Sequence, residues 1–361
     1  MLTLLPPDLD ESARRTEALV RCRNVPDASA LLRMALAYAV TDLSLKDVAA
    51  WAQSLQLASI TGPGLFYRLR MAQGWLQELL ARTLQSGIET VVPGGMRLRV
   101  VDATVVNGPG PRSTDWRVHA VTDPGTGTFR SVEITDEHGA EGYERHAFGP
   151  GEVILGDRMY ATAKGVWAVR SAGAEVVARL NPHTMRICNG KHQVISLLSF
   201  EPRVPRVGVI DIDIIIPIPP ERRTKSHKTW RLEQSVAWVP ARAVAARSRT
   251  GEVTWVVTTL SREKAGPVQV MDLYRLRWQV ELFFKRLKSL LGFDSLPSRR
   301  GPTARSWMLG RLLAAALAQR LVTPNRALSP WGYDMHNIKP ADQCLVAFPD
   351  DPLGDTAGSS R

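Results

Sequence analysis

The sequence is poor in cysteine and has no long hydrophobic run. It contains three cysteines in 361 residues, and these lie far apart, which excludes a disulfide framework and a metal site built on cysteines. The longest strongly apolar stretches, 210–220 and 312–318, are shorter than the roughly 18–20 residues that a membrane-spanning helix needs. No basic region followed by an apolar core stands near the first residue, so no secretory signal is expected. These absences favour a reduced, cytoplasmic protein without a membrane partner.

Positive charge is in excess, and two segments hold that excess. The net charge is +11, from 46 basic and 35 acidic residues. The two signs balance over 1–90 and over 91–220, whereas 221–249 has eight basic against two acidic residues and 271–311 has nine against three. Localised positive charge is typical of proteins that contact the phosphates of nucleic acids. Two solvated basic faces are the plain alternative.

Hydrophobic periodicity predicts a helical N-terminal region. Apolar residues recur at helical spacing between residues 12 and 86, and Asp42 or Ser44 is suited to cap one of these helices. A turn at 59–64 separates two of the helices, so a DNA-binding helix-turn-helix is one interpretation and a packed bundle is the other. The neutral charge of this region does not favour DNA binding.

A mixed α/β layer is predicted after residue 90. Alternating, β-branched segments bounded by glycine and proline predict strands, with helical segments between some of them. The predicted strands are 96–106, 116–122, 128–135, 152–155 and 175–180, and the predicted helices are near 141–147 and at 162–171. Three antiparallel strands followed by alternating helices and strands have the order of an RNase-H-like core.

The rest of the chain predicts a β-rich insertion and two more helices. Strands are expected at 207–216, 230–239 and 253–259, in a segment that we expect to stand apart from the first sheet. Helical periodicity returns at 268–291 and 304–321. The expected fold class is α/β, an RNase-H-like core (a mixed sheet flanked by helices) with an all-β insertion and an N-terminal helical domain. The expected domains are 1–90 (helical), 91–180 (first part of the core), 181–262 (insertion), 263–325 (completion of the core) and 326–361 (tail).

Two aspartates stand on or just after apolar strands. Asp102 lies in the middle of the strand at 96–106, and Asp157 follows the apolar strand at 152–155. A carboxylate in such a place costs several kcal/mol unless it is paired or binds a cation. Two carboxylates on neighbouring strands repel each other, and a divalent cation is the usual resolution. For each aspartate alone, a capping or turn role is the alternative.

A polar stripe is predicted on the helix at 268–291. Its members are spaced three or four residues apart and therefore share one side of the helix: Tyr274, Arg277, Glu281, Lys285 and Lys288. A single glutamate among phenol, guanidinium and ammonium groups suits a metal-binding carboxylate flanked by groups that hold phosphates. A salt-bridged helix surface would account for Glu281 and Lys285, but not for the whole stripe.

This stripe resembles the Tyr-x2-Arg-x3-Glu-x6-Lys signature of the IS4-family transposases, which are DDE transposases of bacterial insertion sequences. All four signature positions match, at Tyr274, Arg277, Glu281 and Lys288. The resemblance covers roughly residues 30–320, including a helical region that holds end-binding helices in such proteins, so 1–90 is expected to bind DNA ends.

Two upstream motifs are similar to the family's aspartate strands. Val101-Asp-Ala-Thr104 is similar to the first and Gly156-Asp-Arg-Met-Tyr160 to the second. Ala103 and Met159 depart from the residues that are usual there. The numbers of residues between the motifs also fit the family's order. The interval between Asp157 and Glu281 leaves room for the insertion.

The resemblance implies a catalytic triad of Asp102, Asp157 and Glu281, which binds two Mg²⁺ ions, with Mn²⁺ as a substitute. It implies cut-and-paste DNA transposition: cleavage at the ends of an insertion sequence, hairpin formation and resolution, and strand transfer. The expected partner is double-stranded DNA, as inverted-repeat ends and as target, bound by a homodimer. A bacterial, nucleoid-associated location follows from that function.

The expected DNA contacts surround this triad. Arg277, Lys285, Lys288 and Arg158 would hold the DNA backbone, and Tyr274 would contact a phosphate through its hydroxyl group.

A sixth expected contact comes from the insertion, where similar transposases stack an aromatic residue on a flipped-out base. Trp255 falls at the matching place. Stacking requires an exposed ring, and a core position in its strand is the alternative.

Two other functions stay open on the sequence alone. One is a catalytically inactive DNA-binding remnant of a transposase, favoured by the departures at Ala103 and Met159. The other is a metal-dependent nuclease with the RNase-H fold. The intact triad argues against the first, and the complete signature argues against the second.

Overall fold

A computed structural model of the chain describes residues 4–85, 91–92, 95–107, 116–221, 230–277, 292, 296–297 and 301–322. These residues belong to two units. The first contains the described residues of 1–90, 102–140 and 279–333, and the second contains those of 91–101 and 141–278. The domain boundaries expected from the sequence stay a prediction.

Six helices of the described residues pack together in the first unit. They are α1 (Leu9–Arg15), α2 (Ala28–Val40), α3 (Leu45–Ser54), α4 (Gly62–Met71), α5 (Gln73–Gln85) and, late in the chain, α8 (Gly301–Val322). Helix α8 packs against α2, α4 and α5. Ser44 caps α3 by accepting the N–H of Asp47 at 3.2 Å. The helical periodicity at 65–84 predicts one helix, whereas the structure has two, α4 and α5, which meet at Ala72.

An antiparallel hairpin completes the first unit. It consists of β3 (Trp116–Asp123) and β4 (Thr128–Thr135), and α5 and α8 pack against β4. Asp123 is fully buried and closes the turn, since its Oδ1 accepts the N–H groups of Gly125 and Thr126 at 3.0 and 3.1 Å. Arg130 pairs with the same carboxylate at 3.1 Å. The order in this unit is β4-β3-β2, where β2 (Met96–Val106) also enters the second unit.

A parallel sheet lies at the start of the second unit. Strand β2 pairs in parallel with β5 (Glu152–Gly156), and β5 pairs in parallel with β6 (Glu175–Arg179). Short β1 (Val91–Val92) pairs antiparallel with β2. Helix α6 (Ala163–Ser171) connects β5 to β6, and Tyr143–Arg145 form one turn of 3₁₀ helix ahead of β5. The strand order and directions are those of the predicted RNase-H-like core, which confirms the fold class.

The strands of the insertion continue this sheet. Beyond β6 come β11 (Val253–Thr258), β10 (Ala237–Arg247), β9 (Val209–Ile218), β7 (Ile187–Cys188) and β8 (Val194–Ile195), each antiparallel to the one before. The expectation that the insertion stands apart from the first sheet is therefore wrong. Without β11, strand β6 would present an open edge of unpaired backbone groups.

The strand expected at 230–239 is also misplaced. The observed strand is β10, and Leu232–Gln234 form a short 3₁₀ turn instead. Strand β10 contains five alanines, which are poor strand formers. It is nevertheless a strand because β9 and β11 pair with it on both sides along most of its length.

Helix α7 (Pro267–Leu276) packs on the sheet of the second unit, against β5, β6, β9, β10 and β11. Proline at its first position suits the helix start, where no intrahelical N–H bond is lost. The predicted helix at 268–291 is confirmed as far as Leu276, which Arg277 follows as the C-cap, and 278–291 lie outside the described residues. None of the helices in the described parts of the chain is long and apolar enough to cross a membrane.

Candidate active site

The turn between β5 and α6 holds Asp157. Its Oδ1 accepts the backbone N–H groups of Met159 and Tyr160 at 2.7 and 3.3 Å, while Thr162 caps α6. The turn interpretation of Asp157 is therefore correct for one carboxylate oxygen. Among the described residues no hydrogen bond reaches Oδ2, and the side chain is half-buried. This oxygen is available to a cation.

Asp102 lies in β2 and is also half-buried. Its Oδ1 accepts the N–H of Ala103 at 2.8 Å. In the parallel pair of β2 and β5, Val100 is the register partner of Leu155. Asp102 follows Val100 by two residues, and Asp157 follows Leu155 by the same interval.

Tyr274 and Arg277 interact at the end of α7. The Arg277 guanidinium lies 5.7 Å from the centroid of the Tyr274 ring. Burial raises the pKa of Tyr274, and the positive charges of Arg277 and Arg179 oppose that shift. The phenol therefore stays protonated at neutral pH and keeps its O–H as a donor.

Asp157 belongs to the same electrostatic neighbourhood. Its negative charge also raises the pKa of Tyr274, though less than burial does. The structure thus brings together three of the predicted site residues: Asp157, Tyr274 and Arg277. It adds Arg179, at the end of β6, which sequence analysis missed; its Nη2 donates to Glu252 at 3.1 Å.

Tyr143 is a second residue that sequence analysis missed. Its side chain is completely buried; that burial raises the pKa of its phenol, and the charge of Asp157 raises it further. A sequence signal was available, because Gly156 ends an apolar strand. Glycine in a strand often indicates the close approach of another group.

The other predicted site residues have different outcomes. Arg158 is exposed beside Asp157. Glu281, Lys285 and Lys288 lie outside the described residues. The described parts of the chain hold no cluster of three or more histidine, cysteine, aspartate or glutamate side chains, and because Glu281 is not among them, the triad stays a prediction.

Trp255 is a core residue. Its side chain is 1% exposed, and its indole N–H donates to Oε1 of Glu201 at 3.3 Å. A ring buried in this way offers no face to a nucleotide base. Of the two interpretations, the core position is correct and base stacking by Trp255 is wrong.

Two arginines of the basic segment 221–249 serve the fold. Arg242 is 5% exposed and pairs with Asp211 at 2.7 Å. Arg247 donates to the backbone carbonyls of Glu201, Val204 and Gly251. These two charges are therefore not available to a DNA backbone, and residues 222–229 lie outside the described residues.

Comparison with known proteins defines the class. A family model described as the transposase DDE domain matches residues 93–317, more than half of the chain. The chain therefore belongs to the transposases with a DDE domain, whose members act on DNA and depend on metal ions.

The relatives are transposases of bacterial insertion sequences. The transposase for insertion sequence element IS421 of Escherichia coli is 33% identical over 351 residues, which are 90% of this chain and 93% of that protein. The InsL protein of element IS186A of Escherichia coli K12 is 33% identical over 350 residues, with the same coverage. The predicted IS4-type DDE transposase is confirmed, and the protein is a DNA transposase.

A solved structure of another transposase is also similar. The cryo-EM structure of a piggyBac transposase synaptic complex with hairpin DNA aligns with a TM-score of 0.48 and 9% identity, over 90% of this chain and 72% of that chain.

Proposed function

We propose that this transposase cleaves and joins DNA by metal-dependent chemistry at Asp102, Asp157 and Glu281. The observation that carries the proposal is the state of Asp157. Two backbone amides occupy its Oδ1, Oδ2 is open among the described residues, and its charge acts on Tyr274, whose ring Arg277 contacts. The equal intervals from the paired Val100 and Leu155 support Asp102 as its companion.

The donor set fits a hard divalent cation. Carboxylate oxygens are the ligands that Mg²⁺ prefers in proteins, whereas thiolate and imidazole suit softer metals. Asp102, Asp157 and Glu281 would hold two Mg²⁺ ions, with Mn²⁺ as a substitute. When bound, the ions would polarise the scissile phosphate and stabilise the attacking and leaving oxygens of an in-line displacement.

The protein side chains would hold the DNA backbone beside this site. The Tyr274 phenol, protonated because burial raises its pKa, would donate its O–H to a phosphate oxygen. The Arg277 guanidinium already contacts this phenol and would bind the same phosphate. Exposed Arg158 would contact a neighbouring phosphate, and Lys285 and Lys288 would contact further phosphates along the DNA.

The substrates would be the inverted-repeat ends of an insertion sequence and a double-stranded target. Water would attack first and a 3′-hydroxyl afterwards, since both displacements at phosphorus need the same two oxygens stabilised. The residues of 1–90 would bind the ends. A homodimer on DNA would hold two ends together.

Cleavage of an end-containing DNA by the purified protein tests the proposal. With Mg²⁺ or Mn²⁺, the wild type should nick at the element end. The variants Asp102→Asn, Asp157→Asn and Glu281→Gln should each lose more than about a hundredfold in rate, because metal ligands matter more than their supporting residues, which cost 10–100-fold. Binding of the ends should persist in all three, and Glu137→Gln, at an exposed carboxylate, is the matched control.

Three results would contradict the proposal. Cleavage at wild-type rate by the Glu281 variant would remove Glu281 from the triad. Binding of ends without cleavage by the wild type would identify an inactive remnant. Cleavage without any strand transfer would identify a nuclease.

A further inference from the structure

Tyr143 packs against the turn that carries Asp157. Its side chain is completely buried, and its ring centroid lies 5.2 Å from that of Tyr160 and 6.2 Å from that of Phe148. Within the described residues no hydrogen bond reaches its hydroxyl group. Packing, rather than a hydrogen bond, therefore holds the phenol in place.

Gly156 leaves the space that the Tyr143 hydroxyl occupies. A Cβ on Gly156 would overlap the hydroxyl oxygen and would lie 2.8 Å from Cζ of the same ring. The backbone of Gly156 does not adopt a positive φ, so its conformation is open to other residues. Space alone accounts for glycine here.

Tyr143 also touches the far side of the turn. The N–H of Tyr160 donates to Oδ1 of Asp157 at 3.3 Å, and the ring of Tyr160 packs on that of Tyr143. Tyr143 thus contacts the residue before the carboxylate and a residue that binds it. A shift of the phenol would be transmitted to Asp157 from both sides.

We propose that Tyr143 is a positioning residue, which holds the turn at 156–160 so that Oδ2 of Asp157 is aimed at the cation. The inference rests on the proposed function, in which Asp157 is a metal ligand. Since two amides occupy Oδ1, the conformation of the turn sets the direction of Oδ2. Mg²⁺ demands near-ideal ligand geometry, and a site held too loosely by its supporting residues fails.

The test measures Mn²⁺ binding to the DNA-free protein by electron paramagnetic resonance, alongside thermal unfolding and binding of DNA ends. Gly156→Ala should weaken Mn²⁺ binding about tenfold, the lower end of the range for supporting residues, and should leave end binding intact. Tyr143→Phe should cause a smaller loss. Gly149→Ala is the matched control, because nothing lies within 4 Å of its added Cβ.

The double variant Tyr143→Phe with Gly156→Ala makes the test specific. Removal of the hydroxyl relieves the severest overlap and leaves a closer than normal contact with Cζ, at 2.8 Å, so the pair should bind Mn²⁺ more tightly than Gly156→Ala alone. Because relief of the overlap would also restore stability, Mn²⁺ affinity is compared at a temperature at which thermal unfolding shows all of these proteins to be fully folded.

Two results would overturn the positioning role. The first is a folded Gly156→Ala protein that binds Mn²⁺ with wild-type affinity. The second is a Tyr143→Phe protein that binds Mn²⁺ with wild-type affinity, and this result decides the matter if Gly156→Ala does not fold. Asp157→Asn separates this inference from the proposed function. If Asp157→Asn also binds Mn²⁺ like the wild type, the assignment of Asp157 as a metal ligand is wrong. If Asp157→Asn loses Mn²⁺ binding while the Tyr143 and Gly156 variants keep it, only the role of Tyr143 is wrong.

Discussion

Arg242 and Asp211 form a bidentate ion pair between neighbouring strands. Nε and Nη2 of Arg242, in β10, donate to the two carboxylate oxygens of Asp211, in β9, at 3.1 and 2.7 Å. Nη1 donates to the backbone carbonyls of Leu260 and Ala265 at 3.0 and 2.9 Å. These carbonyls belong to the connection that leads into α7, so one guanidinium joins the insertion strands to the start of the helix that carries Tyr274.

Replacement of Arg242 by methionine should cost about 3–5 kcal/mol of unfolding free energy, the range for breaking a buried ion pair. Two carbonyls would lose their donor, and Asp211 would keep only Arg262. Arg262→Met is the matched control: Arg262 also pairs with Asp211, at 2.9 Å, but its side chain is 46% exposed. That loss should be about 0–1 kcal/mol. Urea unfolding of both variants measures the difference, and equal losses would contradict the structural role of Arg242.

Trp255 should matter for stability and not for contact with a base. Trp255→Ala should lose about 3–5 kcal/mol, as is typical of a large buried aromatic. Trp255→Phe, which keeps an aromatic ring in the core, should stay folded and should cleave DNA ends at a rate close to wild type. A folded Trp255→Phe protein that binds DNA ends but does not cleave them would show that the indole has a role in the reaction.

The sequence predicts those parts of the fold that local patterns determine. The strand at 96–106 and the one at 128–135 were predicted at their observed bounds, because β-branched alternation ends at glycine, proline or asparagine. Strand β10 was misplaced, and only 237–239 of it were predicted as strand, because its alanines carry no strand pattern of their own. Its conformation depends on pairing with β9 and β11. A pattern within the segment itself does not contain that pairing.

The candidate site shows the same division. Asp157 was predictable, because a carboxylate directly after an apolar strand costs free energy unless it is paired or binds a cation, and such a position therefore indicates a function. Tyr143 was missed, because Gly156, thirteen positions later in the sequence, indicates that some large group approaches but does not say which one. The ambiguity at Trp255 also needed the structure, since an aromatic in an alternating strand points to one of two faces and the pattern does not say which face is covered.

Replacement by alanine should change the free energy of unfolding in opposite directions at two glycines on helices of the first unit. A Cβ on Gly310, in α8, would lie 2.7 Å from Cβ of Ala39 and 3.3 Å from the carbonyl oxygen of Ala35, both in α2. A Cβ on Gly74, in α5, would meet nothing within 4 Å. Gly310→Ala should therefore destabilise by about 1–3 kcal/mol through overpacking. Gly74→Ala should stabilise by about 0.5–1 kcal/mol through helix propensity.

Thermal or urea unfolding of the two variants decides the matter, since both make the same chemical change. Stabilisation by Gly310→Ala would contradict the close packing of α8 on α2.

Alkaline pH should destabilise the wild type more than Tyr143→Phe. Burial, and then the charge of Asp157, raises the pKa of Tyr143 well above its ordinary value of 10.0. The unfolded chain therefore releases this proton first as the pH rises. The contribution of the neutral phenol is fully present below pH 10 and is lost as the pH climbs above it. Tyr143→Phe removes one such group, while Tyr274, whose pKa burial also raises, remains in both proteins as an internal reference.

Urea unfolding at neutral pH and above pH 10 measures this difference. The free energy of unfolding should fall less steeply with pH in Tyr143→Phe than in the wild type, and the folded wild type should show one more phenol that resists ionisation in an ultraviolet titration. Equal slopes would mean that the Tyr143 phenol ionises alike in the folded and unfolded chains. That outcome would contradict its burial beneath the Asp157 turn, because a hydroxyl in that place cannot lose its proton without exposing the contact with Gly156 to water.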